Sequence, residues 1–157
     1  MRILNSTFSG EDVKASSLCI VANIGRILLG MLFIVSSIIN LVITLPDPVL
    51  YKSFAELTFF HFYRSLLLNV AFPNAYLITG LVVVFELVVG VLILGKKAAV
   101  QWGLILSALW LLFVCPSMGW YTLFSPILII IPWLIGRYKY NRSVLDLIIR
   151  RGKIEQP

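Results

Sequence analysis

The sequence predicts an all-α protein: a transmembrane four-helix bundle with short interfacial helices between spans 1 and 2 and a C-terminal amphipathic helix. Three observations predict it. The 157 residues are 60% hydrophobic and only 13% charged, with a mean hydropathy of +0.98. A soluble domain carries nearer a quarter charged residues, and a chain this short cannot hide that much apolar surface from water. Second, the apolar residues fall into four runs, each close to the ~20 residues that cross a hydrocarbon core. Third, the basic residues gather at the ends of those runs, mostly on one side.

Residues 1–19 read as a polar tail containing Glu11, Asp12 and Lys14. The first apolar run covers 20–45. It is too long for a signal-peptide core and has no A-x-A cleavage pattern, so it reads as an uncleaved first span. Pro46-Asp47-Pro48 ends it, because two prolines cannot continue a helix. Residues 49–73 mix Tyr51, Phe54, Phe59, Phe60, Phe62 and Tyr63 with Lys52, Glu56, His61 and Arg64. Aromatic rings interleaved with charge suit the membrane–water interface, so one or two short interfacial helices are expected. The second span covers 75–94, with Asn74 as its N-cap. Gly95-Lys96-Lys97 makes a tight turn into a third span at 98–114, which carries Ala99, Gly103 and Ser107 at four-residue spacing. Small residues so spaced let a neighbouring helix approach closely. The fourth span covers 120–135, with Pro126 and Pro132 inside it and Trp120, Tyr121, Trp133 and Tyr138 as interface anchors. Domain organisation is therefore a tail (1–19), a membrane domain (20–136) and a basic tail (137–157). In that last tail Val144, Leu145, Ile148 and Ile149 form the apolar side of an amphipathic helix.

Orientation follows from charge. Four spans put both termini and the Gly95–Lys97 turn on one side. Of the 13 Lys and Arg residues, Arg2, Lys14, Arg26, Lys96, Lys97, Arg137, Lys139, Arg142, Arg150, Arg151 and Lys153 lie there, leaving only Lys52 and Arg64 opposite. The excess of basic residues marks the cytoplasmic face. A multi-pass protein of the cell's inner membrane with cytoplasmic termini is expected. The net charge of +6 is thus assigned to the lipid surface and not to nucleic acid. Cys19 and Cys115 would lie on opposite sides, so no disulfide between them is expected.

Ionisable groups inside a bilayer are costly and are functional candidates by default. Arg26 lies six residues into the first span and Glu86 eight residues from the end of the second, depths of roughly 9 and 12 Å. A direct Arg26–Glu86 pair is expected. It reads either as a latch holding two helices in register or as part of a ligand site. Ser36, Ser37 and Asn40 would either floor a polar pocket or bond to their own or a neighbouring helix. His61, the lone histidine, has no company for a metal site. No nucleophile–base set, phosphate loop or nucleotide fingerprint is present, so no catalytic residue is assigned.

The first span reads Arg26-Ile-Leu-Leu-Gly30-Met-Leu-Phe33, and the second Glu86-Leu-Val-Val-Gly90-Val-Leu-Ile-Leu-Gly95. Over roughly residues 24 to 135 the chain resembles the DoxX-like family of small four-helix membrane proteins. Arg26, Gly30, Phe33, Glu86, Gly90 and Gly95 match its motifs. Ser37 stands where the family often has Gly, and Asn40 where it often has Lys. The resemblance implies a four-helix bundle with Gly30, Gly90, Gly95, Ala99, Gly103 and Ser107 at packing positions. It also implies a link to membrane redox chemistry. The expected function is a non-catalytic subunit or accessory factor of a membrane redox or stress-related complex. The alternatives are a quinone- or small-molecule-binding oxidoreductase subunit and a small-solute or proton transporter. Partners would be the lipid bilayer and a membrane or cytoplasmic redox protein, with a homo-oligomer also open. No cofactor is evident, quinone being the one candidate.

Overall fold

Between Glu11 and Ile24 the chain holds neither proline nor glycine, so nothing local stops a helix there. In the computed structural model of the chain, which describes residues 10–116, 125–138 and 140, the first helix accordingly starts well before the first apolar run. Helix α1 spans Gly10–Ile39 and passes directly into a π-helical turn, Asn40–Thr44. The boundary expected at residue 19 is a change of polarity and not of backbone. Hydropathy decides where a helix meets an apolar solvent; it does not decide where backbone hydrogen bonding begins. The π turn closes with the Leu45 amide donating to the Asn40 carbonyl at 2.8 Å, and Pro46 follows.

The aromatic connector forms two short helices, α2 (Leu50–Leu57) and α3 (His61–Leu66), followed by a second π-helical turn at Leu67–Ala71. Tyr51, Ala71 and Ala75 bury together with Phe72 and Ile78 against them, which seats the connector on the start of the next helix. The Thr58 hydroxyl donates to the Pro116 carbonyl at 2.7 Å, tying the connector to the segment 58 residues further on.

Helix α4 spans Ala75–Leu94 and α5 spans Ala98–Val114, each coincident with an apolar run. The turn between them needs only Gly95 to Lys97, and Lys97 takes a positive φ of 54°. Helix α6 spans Ser125–Gly136 and holds Pro132. The expected fourth span began at residue 120; Trp120 and Tyr121 lie outside the described residues. So does the expected amphipathic C-terminal helix, apart from Arg137, Tyr138 and Tyr140. Among the described residues the fold is all-helical, with six α-helices and no strand. Two segments, Ile20–Thr44 and Ala75–Leu94, are long and apolar enough to cross a membrane, and Ala98–Val114 is a shorter apolar helix.

The helices α1 and α4 share the largest interface; α4 also packs on α5, α5 on α6, and α6 on α1. Leu29 and Phe33 of α1, Val89 and Ile93 of α4, Val100 and Leu104 of α5, and Ile135 of α6 meet in one apolar cluster with Tyr140. Apolar side chains fill this core and also cover much of the outside, while several polar groups lie within. Arg26, Thr79 and Ser107 are among the fully buried side chains, whereas Leu28 (65%), Leu77 (66%) and Trp102 (62%) stand exposed.

Candidate functional site

The α1–α4 interface is set by two glycines. A Cβ on Gly90 would fall 3.0 Å from the Gly30 carbonyl oxygen and 2.8 Å from Ile34 Cγ1. One on Gly30 would fall 3.3 Å from the Gly90 oxygen and 2.7 Å from Leu94 Cδ2. Backbones that close admit no side chain at the crossing. Polar groups flank the crossing at two levels, one on each side of it.

The first level is centred on Glu86, whose side chain is buried (5% exposed) on the α1-facing side of α4. Its Oε1 accepts from the Ser36 hydroxyl at 2.8 Å. Its Oε2 accepts from the Asn40 Nδ2 at 2.8 Å. The Asn40 amide is itself oriented, because its Oδ1 accepts from the Thr44 hydroxyl at 2.9 Å. Ser37, one residue round the helix, donates to the Val83 carbonyl at 2.9 Å. Ser36, Asn40 and Thr44 lie at i, i+4 and i+8 and form one ladder onto one carboxylate. The π turn begins at the ladder's middle rung. Turns of this kind locally reset which way the following side chains face. Deeper along α4, Thr79 and Tyr51 exchange a buried hydrogen bond of 2.9 Å.

The second level is centred on Arg26, which is fully buried. Its Nη1 donates to the Gly95 carbonyl at 3.2 Å. Its guanidinium lies 4.5 Å from the centroid of the Tyr140 ring, a cation–π distance. Tyr140 is held in turn: its hydroxyl donates to the Ile135 carbonyl at 2.8 Å, and its carbonyl accepts from the Lys97 amide at 2.6 Å. One arginine therefore joins α1, the α4–α5 turn and the segment that follows α6.

The expected Arg26–Glu86 pair is corrected by this register. Arg26 stands opposite Gly95, and Glu86 stands opposite Ser36 and Asn40. Ten residues of helix separate Arg26 from Ser36, about 15 Å of rise. The reason lies in the crossing. Arg26 precedes Gly30 by four residues and Glu86 precedes Gly90 by four. In an antiparallel pair, the same offset carries the two side chains in opposite directions. Depths counted from the ends of apolar runs missed this, because such depths do not say where the two backbones cross.

The other predicted residues are placed as follows. Asn40 and Ser37 both bond across to α4, so the pocket floor is instead a filled seam. Gly103 approaches α4 so closely that a Cβ would lie 2.8 Å from the Ile93 nitrogen. Ala99 and Gly95 sit across the turn, with a Cβ on Gly95 meeting that of Ala99 at 3.4 Å. Ser107 is fully buried and donates back to the Leu104 carbonyl of its own helix at 2.8 Å. Thr44 and Tyr140 were not singled out from the sequence. The four-residue spacing from Ser36 through Asn40 pointed to Thr44; nothing local pointed to Tyr140. Among the described residues no three His, Cys, Asp or Glu side chains come together in a way that could hold a metal ion. No family model, no curated protein and no solved structure matches this chain.

Proposed function

We propose that this chain is an integral membrane protein of the DoxX-like type whose helices α1, α4, α5 and α6 cross the bilayer as a four-helix bundle. Both termini would face the cytoplasm. The observation that supports a membrane setting is an apolar outer surface around a core that also buries charged side chains. A fully buried Arg26 and a closed polar seam at Glu86, beneath an outer surface of Leu28, Leu77 and Trp102, suit an apolar solvent and not water. In that solvent, interhelical hydrogen bonds and close small-residue contacts are what hold helices together.

Within that bundle the chain acts as a non-catalytic subunit or accessory factor of a membrane redox or stress-related complex. The closed ladder carries this reading. Both oxygens of the Glu86 carboxylate are engaged by the neighbouring helix, and the Asn40 amide is locked by Thr44. A carboxylate held that way serves as a latch. Affinity purification in mild detergent at native expression should recover a stoichiometric redox-protein partner; bare protein alone would overturn the accessory role. Glu86→Gln in that complex should leave its quinone-linked activity intact. Loss of that activity in a folded variant would make the carboxylate the wall of a site and not a latch.

A further inference from the structure

A groove of about 540 Å³ runs between α5 and α6. Gln101, Leu104, Ile105 and Ala108 line it from α5, and Ile130, Pro132, Trp133, Gly136 and Arg137 from α6. On α5 the lining positions fall at i, i+3, i+4 and i+7, one face of a helix. The two helices run antiparallel, so Gln101 near the start of α5 and Arg137 just past the end of α6 line the same end of the groove. The polar lining is thereby collected at one mouth, and the remainder is apolar. The distance from Gln101 to Ala108 is about 10 Å of helix rise, within the ~15 Å of one hydrocarbon leaflet.

The mouth has further features. The Arg137 guanidinium lies 3.8 Å from the centroid of the Trp133 ring. A tryptophan and an arginine stacked at a helix end mark the level of the headgroups. Lys96 and Lys97 stand exposed on the turn that leads into α5, a few residues before Gln101. The groove thus presents positive charge and an amide donor at one end and hydrocarbon along the rest. Its complement is an amphiphile with an anionic head and an acyl tail.

We infer that the α5–α6 groove binds one anionic phospholipid of the cytoplasmic leaflet, with its phosphate at Arg137 and Gln101 and an acyl chain along Leu104, Ile105, Ala108 and Ile130. A lipid reaches this groove only in a chain that spans the bilayer as proposed above. Arg137 supplies the charge and a fork that fits phosphate oxygens. Its stacking on Trp133 limits the freedom lost on binding. Apolar contact alone would not distinguish lipids, so headgroup selectivity belongs to the mouth and occupancy belongs to the groove.

The test uses full-length protein reconstituted with equal amounts of phosphatidylglycerol and phosphatidylcholine of identical acyl chains, read by native mass spectrometry of retained lipid. The wild type should retain one phosphatidylglycerol with about fivefold preference, the scale set by one basic side chain at an anionic surface. Arg137→Gln should bring retention of the two lipids to equality. Ala108→Trp should lower retention of both while leaving Arg137 in place. Arg64→Gln, remote from the groove, should change neither. Equal retention by the wild type would overturn the site, and that measurement needs no variant. A preference that survives Arg137→Gln would overturn it as well. So would a dimer mass with no lipid, which would assign the groove to a second copy, or a cross-link from Ala108→Cys to residues 141–157, which would assign it to the chain's own tail. A wild type that alkaline carbonate strips from membranes would instead defeat the bilayer-spanning reading itself. An inserted protein indifferent to headgroup charge defeats only the lipid site.

Discussion

Glu86 and Arg26 are both buried, yet the register gives them separate partners. Removing the Glu86 carboxylate leaves the Ser36 hydroxyl and the Asn40 amide without their acceptor in the α1–α4 interface. Glu86→Ala should therefore destabilise the protein by about 1–3 kcal/mol. Coupling measured by double-mutant cycles separates the pairs. Asn40→Ala with Glu86→Ala should show a coupling of about 1 kcal/mol, the scale of an interhelical hydrogen bond in a membrane protein. Arg26→Ala with Glu86→Ala should be additive within about 0.5 kcal/mol, because about 15 Å of helix lies between their levels. Denaturant unfolding in detergent measures both. An Arg26–Glu86 coupling as large as that of Asn40–Glu86 would mean that the helices sit in a different register. Both residues stood out as candidates in the sequence, since charges inside apolar runs are rare for energetic reasons. Their partners were not legible, because no local pattern states which face of α1 a given turn of α4 will meet.

The elements divide into those decided locally and those decided by contact. Helices α4 and α5 start and stop where the apolar runs do, because Pro73-Asn74, the Gly95–Lys97 turn and Cys115-Pro116 interrupt the backbone at the same places. Helix α1 overruns its apolar run for want of any such interruption. The glycines of α4 give a test of where contact rules. Gly90 meets α1 backbone, so Gly90→Ala should cost about 1–3 kcal/mol through overpacking. Gly80, on the same helix, has nothing within 4 Å of a built Cβ, so Gly80→Ala should stabilise by about 0.5–1 kcal/mol through helix propensity. Thermal unfolding of the two variants checks the contrast. Destabilisation by Gly80→Ala as severe as that by Gly90→Ala would show that another surface covers Gly80.

On the scale of the whole molecule, the charge distribution predicts which side each loop occupies. With Cys19 and Cys115 replaced by serine, Lys96→Cys should react with an impermeant thiol reagent only from the cytoplasmic side. Lys52→Cys should react only from the other. Labelling of both from one side would remove the four-span arrangement. The fold itself brings the segment after α6 to the α4–α5 turn, where the Lys97 amide donates to the Tyr140 carbonyl. Arg26 links that turn to Tyr140, so α1, the α4–α5 turn and the segment after α6 are tied together by one buried guanidinium. The Glu86 ladder holds the other half of the α1–α4 seam. Two polar levels on either side of a glycine crossing fix both the sliding and the rotation of this helix pair.

From sequence alone, this protein was determined to be helical and apolar, with its charge gathered at the ends of its apolar runs and with Arg26, Glu86, Asn40, Gly30 and Gly90 as its candidate residues. Those properties are sums over neighbouring residues, and hydropathy and helix propensity read such sums directly. Only the tertiary structure decided that Glu86 meets Ser36 and Asn40, that Arg26 meets Gly95 and Tyr140, and that the two do not meet each other. Register is set by where two backbones can approach most closely. Here that place is the Gly30–Gly90 crossing, from which the matching offsets of Arg26 and Glu86 lead in opposite directions.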